Sequence, residues 1–311
     1  MQRVHPVHLQ GLEAYCKMSR IFDNPWCRGP LAHFINLVAL NKLVIDIGNT
    51  LCKAAVFQEG RLQKLWVNKE FGAVELDDLL REYPVDKAIV STVRRDDSTV
   101  ELTSSRGINT LLAGPHLGHP LKMGYRSPET LGTDRLAAAV AGFHLFPGNN
   151  VLVINAGTCL TTDLVTEAGE YLGGTISPGL HMRLKALHHF TGKLPLVDPG
   201  IMAAAPAGGG TAVDERRQKQ PGEAPRKRTE DTSAPEIPGQ TTREAIRAGV
   251  ICGMLAEIDG LIGLYQEKIR LFNVILSGGD IKVFDKKLKN RIFAVENIVL
   301  HGLNQMLEYN A

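Results

Sequence analysis

From residue 42 onward the apolar positions fall first into short continuous runs, the pattern of strands buried on both faces. Leu43-Val44-Ile45-Asp46 reads as one buried strand and Ala54-Ala55-Val56-Phe57 as its partner. The segment between them, Ile47-Gly48-Asn49-Thr50-Leu51-Cys52-Lys53, reads as a turn, with Gly and Asn where positive φ costs least. A third strand, Ala88-Ile89-Val90-Ser91, follows a helical stretch around Asp77–Glu82. Residues 1–41 show no clean period and mix His, Pro and Cys with scattered apolar residues. They read as an N-terminal extension, non-native or disordered, ahead of a fold that begins at Lys42.

The same pattern returns about one domain later. Val151-Leu152-Val153-Ile154-Asn155 is again a buried strand, followed by Ala156-Gly157-Thr158 and a partner strand from Leu160 to Val165. Both segments have the form apolar strand, Asp/Asn-x-Gly, Thr, apolar strand. The repetition implies an internal duplication, with domains 42–149 and 150–311 meeting near Pro147-Gly148-Asn149-Asn150. Further on, Thr241-Thr242-Arg243-Glu244 has capping-box form. Ile246, Val250, Met254, Ile258, Leu261 and Ile262 then recur at helical spacing. A strand, Val274-Ile275-Leu276, ends at Ser277-Gly278-Gly279-Asp280. Residues 200–239 are rich in Ala, Gly and Pro and hold no aromatic residue. Such a stretch buries too little apolar area to offset its ordering entropy, so a disordered surface insertion is expected there, its Arg216-Arg217 and Arg226-Lys227-Arg228 solvated.

Composition narrows the function classes. A chain of 311 residues suits two domains of ordinary size. With 35 basic against 33 acidic side chains the net charge is +2, which leaves no field of one sign to hold nucleic acid or a membrane surface. Five cysteines without CxxC or Cys/His ligand spacing argue against a disulfide framework or zinc site and fit a reducing cytosol. No apolar run approaches the roughly 18 residues of a membrane span, and Phe34–Leu40 makes a poor secretory signal. A cytoplasmic protein is expected.

Four segments can carry chemistry, each with a plainer structural reading beside it. After Asp46 come Gly48, Asn49, Thr50 and Lys53: backbone N–H groups, a hydroxyl and an ammonium that can receive phosphate oxygens, with Asp46 placed for Mg2+. The plainer reading is a tight hairpin in which Asp46 bonds its own turn. It is neither a Walker A loop nor a GxGxxG turn. In Tyr125-Arg126-Ser127-Pro128-Glu129-Thr130-Leu131-Gly132-Thr133-Asp134-Arg135, Asp134 falls in the first turn of a helix over Leu136–Ala141. It serves either the helix dipole or a substrate hydroxyl as general base, with Arg135 either solvated or an anion clamp. Asn155-Ala156-Gly157-Thr158 and Gly173-Gly174-Thr175-Ile176-Ser177-Pro178-Gly179 read as Gly-rich loops open to phosphate. Gly278-Gly279 lets a flat ring lie against backbone or makes a plain turn. His188-His189 reads as a solvated helix face, since adjacent helical residues do not face each other.

In this order and spacing the segments resemble the type III pantothenate kinase family of the actin/Hsp70/sugar-kinase superfamily, over Lys42–Pro199 and about Thr241–Ala311. The resemblance implies an α/β fold of duplicated actin-like ATPase (ribonuclease H-like) domains, with mixed sheets flanked by helices. It implies ATP-dependent phosphorylation of pantothenate to 4′-phosphopantothenate, the first step toward coenzyme A, by a homodimer. Asp46, Gly48, Asn49, Thr50 and Lys53 would bind ATP phosphates, Asp46 near Mg2+, and Thr158 would contact ATP. Asp134 would accept the proton of the substrate hydroxyl, and Tyr125, Gly132, Thr133, Arg135 and Thr242 would hold pantothenate. The family pattern has an Asp at Asn155 as ligand to an activating monovalent cation, K+ or NH4+. An Asn offers a carbonyl oxygen without the charge that offsets desolvating a cation, so a weaker or altered requirement is expected. Two other readings stay open: a non-catalytic pantothenate- or nucleotide-binding regulator of the same fold, and a kinase for another small hydroxylated substrate.

Overall fold

The computed structural model describes residues 41–93, 98–199, 235–269 and 271–311. The extension expected at 1–41, apart from Asn41, and the insertion expected at 200–239, apart from residues 235–239, lie outside the described residues.

The first sheet is built from β1 (Asn41–Ile47), β2 (Cys52–Gln58), β3 (Arg61–Asn68), β4 (Val85–Thr92) and β5 (Asn109–Leu112), with α1 (Ala73–Glu82) before β4 and α2 (Ser98–Ser104) before β5. The apolar run that marks β1 as doubly covered is the central strand: Leu43, Val44 and Ile45 have no exposed surface. The strand order is β3-β2-β1-β4-β5. β1–β2 and β2–β3 pair antiparallel, while β4 and β5 run parallel to β1.

Next come β6 (Lys122–Met123), α3 (Thr133–Leu145), β7 (Val151–Ala156), β8 (Cys159–Val165), β9 (Glu170–Pro178), α4 (Leu180–His189), α5 (Thr242–Lys268), β10 (Asn273–Ser277), α6 (Ile281–Phe284), β11 (Phe293–Ala294) and α7 (Ile298–Tyr309). The second sheet, read from one edge, is β6-β9-β8-β7-β10-β11. Apart from β6 it repeats the first sheet strand for strand and sense for sense: β7–β8 and β8–β9 antiparallel, β10 and β11 parallel to β7. The duplication expected from two matching hairpins therefore extends through five strands of each half, the arrangement of actin-like folds.

The two halves are locked by the helices that end them. In α3 the run Arg135–Gly142 is buried all round, as a helix between two packed layers must be. Gly142 lies against Val151 and Val153 of the second sheet. α7 packs against α3 so closely that a methyl at Gly302 would overlap the carbonyl oxygen of Ala137. On its other side α7 reaches the first sheet, through His301 edge-on to Phe57 at 5.4 Å and an ion pair between Glu308 and Lys42. β6, although early in the chain, pairs with β9 of the second sheet.

One expectation needs correcting. Of Gly173–Gly179, read as a loop, residues 173–178 belong to strand β9, and Gly179 caps α4. Gly174 is a packing choice, because a side chain there would collide with the backbone of Thr162 on β8, whereas Gly173 has a left-handed φ of +86. α5, 27 residues long, contains an 18-residue window with a mean hydropathy of 1.5, long and apolar enough by composition alone to cross a membrane. Its apolar stripe is accounted for by the core, since Ile246, Val250, Met254, Ile258 and Ile262 are all buried against the second sheet's cluster.

Candidate active site

The β1–β2 register pairs Asp46 with Lys53 and leaves a tight turn closed by the Gly48 N–H donating to the Leu51 carbonyl at 3.0 Å. Gly48 is half-buried, and Asn49 and Thr50 are exposed at the tip. The β7–β8 turn is closed in the same way, by the Gly157 N–H to the Cys159 carbonyl at 3.0 Å. The two tips face each other: the hydroxyl oxygens of Thr50 and Thr158 lie 3.5 Å apart. Duplication thus brings two tight turns tip to tip, one from each sheet, an arrangement suited to receiving phosphate oxygens.

Beneath the second turn, the Gly179 N–H donates to the Thr158 carbonyl at 3.1 Å, and a side chain at Gly179 would overlap the carbonyls of Gly157 and Thr158. The Asp280 N–H donates to the Ala156 carbonyl at 3.0 Å. Gly278, at φ +104, crosses directly over Ala156, where any other residue would be both strained and obstructed. The Gly278-Gly279 turn therefore packs directly on the β7–β8 hairpin.

Burial pushes the carboxyl of Asp46 up to about 6; the neighbouring charge of Asp134 adds to the rise, while a hydrogen bond from Ser91 and the charge of Lys53 oppose it. Asp46 and Asp134 lie 88 positions apart in sequence, yet they share one electrostatic environment. Burial lowers the pKa of Lys53, against the pull of Asp46 and Glu296, and its ammonium donates to the Asn297 side-chain oxygen at 3.1 Å. Among the described residues no three His, Cys, Asp or Glu side chains gather as a metal site. His188 instead meets the Leu194 carbonyl at 2.8 Å.

Gly132 caps α3, which places Thr133 and Asp134 in its first turn; the Asp134 side chain accepts from the Arg135 N–H at 2.9 Å. Arg135, one candidate for a free anion clamp, is 6% exposed and already engaged. Its guanidinium donates to Asp163 Oδ1 at 2.9 Å and sits over the Tyr125 ring at 5.9 Å. Burial works against the Arg135 charge, but Asp163 outweighs it and holds the guanidinium protonated. Asp163 itself is fully buried and also accepts from the Tyr171 hydroxyl at 2.7 Å; burial pushes it up to about 6. Sequence reasoning passed over Asp163, although an acid inside the apolar run Leu160–Val165 was its signal. Asn155, half-buried on β7, stands opposite Thr161 of β8 and Ser277 of β10. Thr242 opens α5, exposed, beside a capping box in which Thr241 accepts from the Glu244 N–H at 3.2 Å. Among the described residues no hydrogen bond or ion pair joins Thr242 to the Tyr125–Arg135 group.

A family model described as type III pantothenate kinase matches residues 42–215. Over 271 residues the chain is 38% identical to a type III pantothenate kinase of Christiangramia forsetii, covering 86% of this chain and 98% of that one. It is 39% identical over 269 residues to one of Bacteroides fragilis, with 86% and 98% covered. A third, of Cytophaga hutchinsonii, is 36% identical over 271 residues, with 86% and 99% covered. A solved ROK family glucokinase from Streptomyces griseus aligns at 10% identity with a TM-score of 0.46, over 86% of this chain and 99% of that one. The duplicated five-stranded core with two facing turns is an actin-like fold, and the matching family model and relatives make the chain a kinase of that class. Within that class, the chain belongs to the type III pantothenate kinase family.

Proposed function

We propose that this protein transfers the γ-phosphoryl group of ATP to the primary hydroxyl of pantothenate, giving 4′-phosphopantothenate and ADP, the first step of coenzyme A biosynthesis. The observation that carries this reading is the facing of the Thr50 and Thr158 turns, with the charge of Asp134 acting on Asp46 at the foot of the first. It joins a phosphate cradle to a candidate base.

Chemistry of this kind rests on positioning and charge neutralisation. Gly48, Asn49, Thr50, Lys53 and Thr158 receive the phosphates of ATP. A half-buried carboxylate on which the charge of a second one acts suits a divalent cation, so Asp46 fits the Mg2+ that accompanies the nucleotide, which would neutralise charge on its phosphates. Asp134 accepts the hydroxyl proton as the substrate oxygen bonds to the γ-phosphorus. The bond from that phosphorus to the β–γ bridging oxygen breaks, and ADP leaves with the electron pair. Tyr125, Gly132, Thr133, Arg135 and Thr242 hold pantothenate, Arg135 as a fixed wall whose charge Asp163 balances. Asn155 occupies the monovalent-cation position with a neutral donor, giving a weaker K+ or NH4+ requirement.

We also propose that the segments 42–149 and 150–311 act as two lobes closing on the nucleotide, that the protein works as a homodimer, and that its place is the cytoplasm. Dimerisation is supported by the solvent face of α5, where Ala245, Gly249, Gly253, Ala256 and Gly260 lie exposed, and by Ile176 of β9, 62% exposed. The functional reading is tested by incubating the protein with Mg-ATP, K+ and either pantothenate or a panel of other small hydroxylated acceptors. Selective formation of 4′-phosphopantothenate supports it. ATP consumption only with another acceptor, or binding without turnover, contradicts it.

A further inference from the structure

Asn297 is one of two non-glycine residues with positive φ among the described residues, at φ 54 and ψ 35. A left-handed residue is uncommon outside glycine; Asn tolerates it best, and such residues concentrate where a site demands them. Here the demand is visible. The Asn297 side-chain oxygen accepts from the Lys53 ammonium at 3.1 Å, across 244 positions of sequence. The next residue, Ile298, donates its backbone N–H to Ser277 Oγ at 3.4 Å. Ser277 ends β10 and leads directly into the Gly278-Gly279 turn over Ala156. Residues 297 and 298 therefore hold a cation of the first half with one group and the nucleotide-side turn of the second half with another.

We propose that Asn297 is a positioning residue for the phosphate site: it fixes the Lys53 ammonium and ties it to the β10 turn at the start of α7. An ammonium has three N–H donors. One directed to Asn297 sets the direction of the other two, so that Lys53 meets the phosphates without first ordering a flexible stem. Glu296, whose charge also acts on Lys53, adds attraction but no observed hydrogen bond. Asn297, left-handed at the N-cap of α7, reaches Lys53 on β2 with its side-chain oxygen. The inference rests on the reading of Lys53 as a phosphate contact.

The test separates side chain from backbone. Asn297→Gly keeps the left-handed conformation without strain and removes the side-chain amide whose oxygen accepts from Lys53. Affinity for a non-hydrolysable Mg-ATP analogue, measured by calorimetry, is expected to weaken about tenfold, the scale of one hydrogen bond to a charged group. The thermal midpoint and the KM for pantothenate should stay at their parental values. Lys53→Met should weaken the analogue by itself, and Asn297→Gly added to it should weaken binding no further, because the two act as one unit. Parental affinity in Asn297→Gly overturns the inference, as does a full additional loss in the double variant, or a loss that comes with a lowered thermal midpoint. Parental affinity in Lys53→Met overturns it too, through the phosphate role of Lys53. A failure of the parent to phosphorylate pantothenate, with this binding cycle intact, counts against the proposed function and leaves the role of Asn297 standing.

Discussion

At the scale of single residues, Asp46 carries a cost that its partners only partly offset. Burial raises its carboxyl from the ordinary 3.8 to about 6. Between those values the native state binds more protons than the unfolded chain, so its contribution to stability is intact below about pH 4 and is lost as pH rises through 6. Asp46→Asn escapes the loss. The ligand-free variant should match the parent near pH 4 and exceed it by about 1–3 kcal/mol above pH 7, while losing activity. Urea unfolding across that range checks this, and a pH-independent difference would contradict it. Asn155 makes the second residue-level prediction. Titrating K+ should produce a shallow activation curve in the parent and a steeper one in Asn155→Asp; identical curves would refute the assignment. Asp46 and Asp134 were legible because each sits in a strongly patterned segment. Asp163 and Asn297 were not: one matters through Arg135, 28 positions away, and the other through a backbone angle and Lys53, 244 positions away.

Elements were readable wherever one environment covers both sides of a strand. The runs of β1, β2, β7 and β8 are continuous because helices or strands bury them on both faces. β3 was not singled out, since its residues are at most half-buried and the run carries charges. β9 has a clear alternation of exposed and buried positions, but Gly173 and Gly174 disguised it as a loop. α7 has apolar residues at helical spacing, yet nothing in that spacing says that it packs against α3 and reaches back to the first sheet. The α3–α7 contact predicts its own weak point. Gly302→Ala places a methyl against the Ala137 carbonyl and forces the helices apart, an overpacking cost of about 2–4 kcal/mol. In a protein of this size that lowers the thermal midpoint by several degrees, roughly 2–4 °C per kcal/mol. An unchanged midpoint would mean that the helices are less tightly joined than described.

For the whole molecule, the second sheet's repetition of the first explains why the two tight turns meet, one from each half, and the proposed nucleotide site is placed where they face each other. The repetition was visible in two hairpins, but the order of the outer strands and the helices between the sheets depend on tertiary packing that no local pattern records. Assembly is the next level. Sedimentation equilibrium should give twice the chain mass for the parent, and Ala256→Arg, on the exposed face of α5, should give a monomer; a monomeric parent would remove the homodimer from the account. The central claim is catalytic and rests on Asp134 beside the phosphate cradle. The most direct measurement follows the γ-phosphoryl group of labelled ATP into 4′-phosphopantothenate by mass spectrometry, for the parent and for Asp134→Asn at equal ATP occupancy. The parent should form the product and the variant should be slower by a factor on the order of 10²–10⁴. Equal rates in the two proteins would contradict the account.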